Sequence, residues 1–450
     1  MLLKRKSEQA KGNVLLKRLF LVSFTLTITV SSWIPWDNAE AEVIESGPKL
    51  TEVGPTRDDN GFPFWYKDSN GVKLELCLDP ADPYCGLIEE EEEADPATLG
   101  FDPNLPIQFP DNYPGEAFYQ MAEAEIESGN VSARGTFALE ASFNSEVPAV
   151  GDQTVFGRVR IRVDGLTPNS NYTITHPYGK DIIKTDAEGE INYTEDIGAG
   201  GGFNAALNSR IGTFLKWDPS VAPAAPEGYI GDPNVLHRVT GGYQNQNYFR
   251  IEGPGLGRLG RIQTNLFSLM GKISTTNGLD IQQATYSQTA DSGFIDVFVL
   301  SEVDQNITVS GTGIETTPLA GRDNQYFAHV PYTGAEPPVE ITVTNLENNI
   351  DDPADDTIKT IKPVDRIIAS ANYDTAAKTL TIRAKSSDEV NPPALTVTGY
   401  DGIIDPSTGQ LAVPDLTVIS PTITITSEAN GTVTIPVDIN NVSAAPAGMN

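Results

Sequence analysis

The sequence predicts an all-β protein: tandem β-sandwich modules behind an irregular N-terminal segment that carries a disulfide-braced hairpin. Three observations predict it. The 40 glycines and 32 prolines, together with many Asn, Asp, Ser and Thr, punctuate the chain every few residues, the spacing of turns between short strands. Between these turns apolar residues recur at period two. Phe137, Leu139, Ala141 and Phe143 share one parity, and Val155, Val159, Ile161 and Val163 alternate with Arg158, Arg160 and Arg162; this pattern buries one face of a strand and wets the other. The last third also repeats itself. Ala284-Thr285-Tyr286 matches Ala371-Asn372-Tyr373, Ile307 to Gly311 matches Leu395 to Gly399, and Ile341 to Thr344 matches Ile423 to Thr426, at offsets of 87, 88 and 82 residues.

Residues 1–41 read as a secretory signal peptide. Lys17 and Arg18 precede the apolar run Leu19 to Val30, and Ala39-Glu40-Ala41 supplies the small-x-small site, with cleavage expected after Ala41. The run is shorter than the roughly 20 residues that span a bilayer. No second apolar span follows, and no cysteine lies at the cleavage site to carry a lipid. The expected location is secreted or held non-covalently at the cell surface. The net charge is −31; residues 1–41 carry six basic and three acidic residues, so their removal leaves −34. A chain this acidic repels nucleic acid and anionic lipid. An extracellular protein or a polysaccharide is the expected partner, with no nucleic acid and no membrane span. A hydrophobic content of 39% belongs to folded modules rather than to disorder.

Residues 42–116 combine an aromatic hairpin, a cysteine loop and a connector rich in proline and acid. Asn70-Gly71 is a strong turn signal. With Ser69-Asn70-Gly71 as a three-residue loop, Tyr66 faces Leu74 and Phe62, Phe64, Tyr66, Leu74 and Leu76 share one face; Trp65 then points away, among Lys67, Lys73 and Glu75. Burial favours this register. A lone hairpin is marginal in water. Cys77 and Cys85, the two cysteines of the chain, supply a brace, because an exported protein meets an oxidising compartment. Glu89 to Glu93 and the prolines that follow read as an extended connector.

Residues 117–272 read as a β-sandwich core. Gly165-Leu166-Thr167-Pro168-Asn169-Ser170-Asn171-Tyr172 resembles the tyrosine-corner segment of fibronectin type III domains, where the Tyr hydroxyl bonds to nearby backbone. Other segments carry a second resemblance. They are Gly61-Phe62-Pro63 with Trp65-Tyr66, Cys77-Leu78-Asp79 to Cys85, Gly151-Asp152-Gln153, His176-Pro177-Tyr178-Gly179, Trp217-Asp218-Pro219 and Asn247 to Pro254. Over about residues 54–275 the chain resembles a family of exported bacterial proteins without a known activity. The resemblance implies export and one unit of that length, and no chemistry. Residues 273–350 and 361–450, the two copies of the repeat, have the length of immunoglobulin-like modules, with the Asp-rich stretch 348–363 as their expected linker.

Diagnostic catalytic motifs are missing. Gly255-Leu256-Gly257-Arg258-Leu259-Gly260 fits G-x-G-x-x-G, but the residues after it read as a strand where a nucleotide site needs a helix. His176, His237 and His329 fall in three separate contexts, without G-x-S-x-G or H-E-x-x-H. The 61 acids offer too many carboxylate pairs to nominate one. Acidic loops suggest calcium, which takes six to eight oxygens; the candidates are Asp351, Asp352, Asp355 and Asp356, and Asp79 with Asp82. No other cofactor is expected. Trp65 and Trp217 are candidate platforms for a sugar ring. The reading is an exported, non-enzymatic extracellular or cell-surface binding or structural protein. A carbohydrate-binding protein and a carboxylate-dependent hydrolase acting through residues 118–270 are the alternatives.

Overall fold

The computed structural model describes residues 38–87, 99–145, 147–346, 356–400 and 402–440. Their regular structure is nearly all strand, with two short 3-10 turns. No described helix is long and apolar enough to cross a membrane.

Two sheets make the first core. One runs in the order Ile191–Ile197, Gln153–Asp164, Val131–Phe143, Ala117–Ser128, Leu266–Met270, His237–Thr240 and Lys216–Trp217; the other runs Ala41–Ser46, Gly179–Lys184, Asn171–His176, Phe249–Glu252 and Arg261–Thr264. The period-two residues lie between them: Phe137, Leu139, Val155, Val159, Ile161 and Ile174 are buried in one cluster. The tyrosine corner is present. The Tyr172 hydroxyl accepts the Thr167 amide at 2.9 Å and donates to the Pro254 carbonyl at 2.6 Å. Strand Ala41–Ser46 pairs with Gly179–Lys184, and Asn38 and Ala39 bond to the edge strand Ile191–Ile197. The glycine-rich motif is a turn between Phe249–Glu252 and Arg261–Thr264, closed by the Gly253 amide on the Gly260 carbonyl.

The hairpin adopts the three-residue loop: Tyr66 opposes Leu74, and Gly71 has φ of 80°. Asp68 organises the turn by accepting the Asn70, Val72 and Phe214 amides at 2.8–2.9 Å. Phe62, Tyr66, Leu74 and Leu76 join the same buried cluster as the sandwich. The hairpin expected within a separate part, 42–116, is therefore a wall of the core expected at 117–272. Cys77 and Cys85 form the disulfide.

The repeat is a repeat of topology. In the second unit Asp280–Gln288 pairs with Gly293–Leu300, which pairs with Gln325–Tyr332, while Asn306–Gly311 pairs with Ile341–Leu346. In the third, Ile367–Asp374 pairs with Thr379–Ser386, which pairs with Gln410–Val413, and Leu395–Val397 pairs with Thr422–Ser427. Each unit has its own apolar cluster. The closing strand also corresponds. Thr432–Asn440 pairs antiparallel with Thr422–Ser427 and then parallel with Ile367–Asp374. Its counterpart is split at Lys362-Pro363 into Thr357–Ile361 on Ile341–Leu346 and Val364–Asp365 on Asp280–Gln288. This corrects the expected linker: of the stretch 348–363, residues 348–355 lie outside the described residues, and Thr357–Ile361 is a strand of the middle module's own sheet. The chain passes between the modules at Arg366.

Candidate functional site

A strand of a sandwich turns alternate residues outward, and those are ordinarily polar. The middle module departs from this. Along Gln325–Tyr332 burial alternates strictly, and the outward residues are Gln325, Phe327, His329 and Pro331. The neighbouring strand turns Phe294, Asp296 and Phe298 to the same side, because Phe298 opposes Phe327, Asp296 opposes His329 and Phe294 opposes Pro331. Phe298 and Phe327 are 43% and 39% exposed, with ring centroids 4.8 Å apart. His329 stacks on Phe294 at 4.5 Å, and its Nδ1 lies 2.7 Å from Asp296 Oδ1. The result is an aromatic stripe across an open sheet, with a hydrogen-bonded His–Asp pair within it.

The third module serves as an internal control. Ala284 opposes Val297, and its repeat counterpart Ala371 opposes Ile382. Carrying that register outward, Phe298 corresponds to Arg383, Asp296 to Thr381 and Phe294 to Thr379. One strand further, Phe327 corresponds to Gln410 and His329 to Ala412. The same topology is built with polar or small residues at these positions, so the fold does not require the aromatics. Exposed apolar residues that cluster where the fold needs none mark a contact surface.

The tryptophans expected as platforms are not open. Trp65 is 1% exposed; its Nε1–H donates to the Asn277 carbonyl at 3.0 Å. The Lys67 and Lys73 ammonium groups lie 4.9 and 5.2 Å from its ring centroid. Both lysines pair with Glu302 of the middle module; burial pushes that carboxyl up, but the two ammonium groups outweigh it and hold it low. Lys359 likewise reaches Asp58 at 2.7 Å. The polar face of the hairpin is thus a docking face for the second module. Trp217 is 5% exposed and stacks on His237 at 4.2 Å.

The other sequence candidates that lie among the described residues are held by their own partners. Asp351, Asp352 and Asp355 lie outside the described residues, and Asp356 directly precedes Thr357–Ile361. Asp79 and Asp82 cap turns through the Ala81 and Tyr84 amides, and Asp82 also accepts the Tyr229 hydroxyl. His176 is fully buried, and burial pulls its pKa down. Its Nδ1 accepts the Tyr178 amide at 3.3 Å and its Nε2 meets Asp181 at 2.9 Å, so neither nitrogen is free. Asp181 also binds Arg210 at 2.7 Å, which binds Glu195 at 2.9 Å. Of the carboxylates in 118–270, Glu123 accepts the Thr136 hydroxyl at 2.6 Å and Glu140 touches Arg158 at 2.7 Å. Sequence reading missed the stripe. The signal that finds it is the register of the repeat, carried one strand beyond Ala284 and Ala371.

No family model matches the chain, and no curated protein is similar to it. Among solved structures it is similar to the BSP domain of a biofilm-associated protein over 71% of this chain and 77% of that one, at 10% identity and a TM-score of 0.19. A likeness at that level carries no argument about fold or function.

Proposed function

We propose that the chain is an exported, non-enzymatic binding and structural protein of the cell exterior, with its recognition face on the middle module. The observation that carries this is the Phe298–Phe327 pair, open to solvent at positions where the sister module has Arg383 and Gln410. Covering two half-exposed rings contributes roughly 1 kcal/mol each, enough to give a modest site that several copies on a surface would strengthen. Two features support the setting. A disulfide in a chain with an export signal fits an oxidising compartment. The modules are also joined by buried polar contacts rather than by free linkers, as a spacer that presents a face needs. At the second joint the Tyr286 hydroxyl donates to Asp388 at 3.2 Å, the Ser387 hydroxyl donates to the Tyr286 carbonyl at 2.6 Å, and the Gln288 and Glu389 amides bond across the gap.

Co-sedimentation of the secreted protein with isolated cell envelopes tests the reading. The wild type is expected in the pellet, and the Phe298→Ser/Phe327→Ser variant in the supernatant with its melt lowered by no more than about 1 kcal/mol, the value of an exposed cross-strand pair. Pelleting of both proteins alike would remove the stripe from the function.

A further inference from the structure

The stripe does not end at Phe298. Across the next strand Phe298 opposes Gln283 and Asp296 opposes Thr285. Gln283 and Thr285 also line a cleft of about 450 Å³ where the middle and last modules meet. Strands lie roughly 4.8 Å apart, so the exposed Gln283 joins the Phe298 ring to the cleft, while Thr285 on the same side is buried. Gln282, Lys362, Arg366, Asn430 and Thr432 add exposed polar groups to the lining. Lys362 and Arg366 have no ion-pair partner among the described residues. Asp365, the acid in the lining, is buried and already satisfied: it accepts the Ser386 and Ser427 hydroxyls and the Gly431 amide. Two cations against one carboxylate leave the lining with a net charge of +1, with Asp280 beside it on the Gln282 amide, in a chain of net charge −31.

Resting on the recognition face argued above, we propose that this cleft and stripe bind a saccharide chain that carries sparse carboxylate groups. The apolar faces of its sugar rings lie on Phe298 and Phe327. Its hydroxyls meet the amides of Gln282, Gln283 and Asn430, and a carboxylate meets Lys362 and Arg366. The size suits one or two sugar units, within the usual range of ligand clefts. Sparse charge matters, because a dense polyanion would bring further charges within the Debye length of about 8 Å of other carboxylates of this chain, while a single acid held at the cleft feels the two near cations most. Two open rings, tilted by 37° to each other, beside amides and hydroxyls offer stacking faces and hydrogen bonds to a sugar; an acidic peptide held by the two cations alone would make no use of the rings.

Affinity electrophoresis of the full secreted protein tests this, in gels containing gellan or xanthan, two sparsely carboxylated polysaccharides, their carboxyl-reduced forms, or polyglutamate. Retardation by a native polymer is expected. Carboxyl reduction, or Lys362→Ala/Arg366→Ala in the protein, weakens it about tenfold or more, the worth of one charged hydrogen bond; Phe298→Ser/Phe327→Ser abolishes it. Equal retardation by native and reduced polymers would overturn the acidic specificity. Retardation by polyglutamate alone, lost with the two cations, would overturn the saccharide in favour of an acidic polypeptide. Envelope binding that still depends on Phe298 and Phe327, without retardation by any of these polymers, would overturn this ligand and leave the recognition face standing.

Discussion

Glu140 shows what a buried charge does to this protein. It is 1% exposed, and burial raises its pKa from 4.5 to about 8 even though Arg158 touches it at 2.7 Å. Arg158 is at the same time held by Asp196 through two bonds of 2.8 and 2.9 Å. Because the folded carboxyl keeps a proton that the unfolded one releases, stability is lost as pH rises from about 4.5 to about 8. Glu140→Gln removes that loss. The variant is expected to gain on the wild type across this window, by up to about 1.4 kcal/mol per pH unit, and to hold a constant difference above it. Melting curves at a series of pH values decide this, and parallel curves would show that Arg158 keeps the acid ionised throughout. Trp65 teaches the limit of sequence at this scale. Parity placed it correctly on the second face of the hairpin, but an open face and a covered face have the same alternation, and its partner Asn277 lies 212 residues away. Trp65→Ala is expected to cost about 3–5 kcal/mol and to open residues 273–279 to proteolysis; unchanged cleavage there would mean that the joint does not depend on the indole.

At the scale of elements, strands and turns were legible and their company was not. The Asn70-Gly71 turn, the Tyr66–Leu74 register and the tyrosine corner follow from residue type and spacing. That the hairpin closes the main core could not be read, because the strand that completes its sheet, Lys272–Ile273, arrives about 200 residues later and pairs with Lys73–Glu75. The cysteine loop is braced twice: Tyr84 packs on Tyr229 at 5.0 Å, and Asp82 accepts the Tyr229 hydroxyl. Cys77→Ser/Cys85→Ser should therefore lower the stability of the first core by about 2–3 kcal/mol, the loop-closure value, and leave the last module unchanged. Calorimetry of the full chain separates the two. The aromatic stripe was hidden for another reason: scattered exposed apolar residues are normal in any sequence, and only pairing registers bring Phe298, Phe327 and Phe294 onto one surface.

The whole molecule is three cores in series with ordered joints. The sequence indicated the repeat and its period, but placed the division at the Asp-rich stretch because acid and proline resemble a linker; sheet pairing moves it to Arg366. The fragment 361–450 keeps its own cluster, with Leu380, Ile382, Ile423 and Ile425 at its centre, but loses Tyr286 and Gln288 from Asp388 and Ser387. It is expected to fold with a β-type circular dichroism spectrum and to melt below the same module in the intact chain. A fragment that melts as the intact module does would mean the joint adds no stability.

The most direct measurement concerns the middle module alone of the three. Phe298 and Phe327 would be replaced by the residues that the sister module carries, as Phe298→Arg/Phe327→Gln, and the melting midpoint and the affinity for cell envelopes measured on one preparation. A melt within about 1 kcal/mol of the wild type together with lost envelope binding is the predicted result. Retained binding, or a module that unfolds because the rings were needed for its stability, would contradict the claim that the stripe is there for recognition.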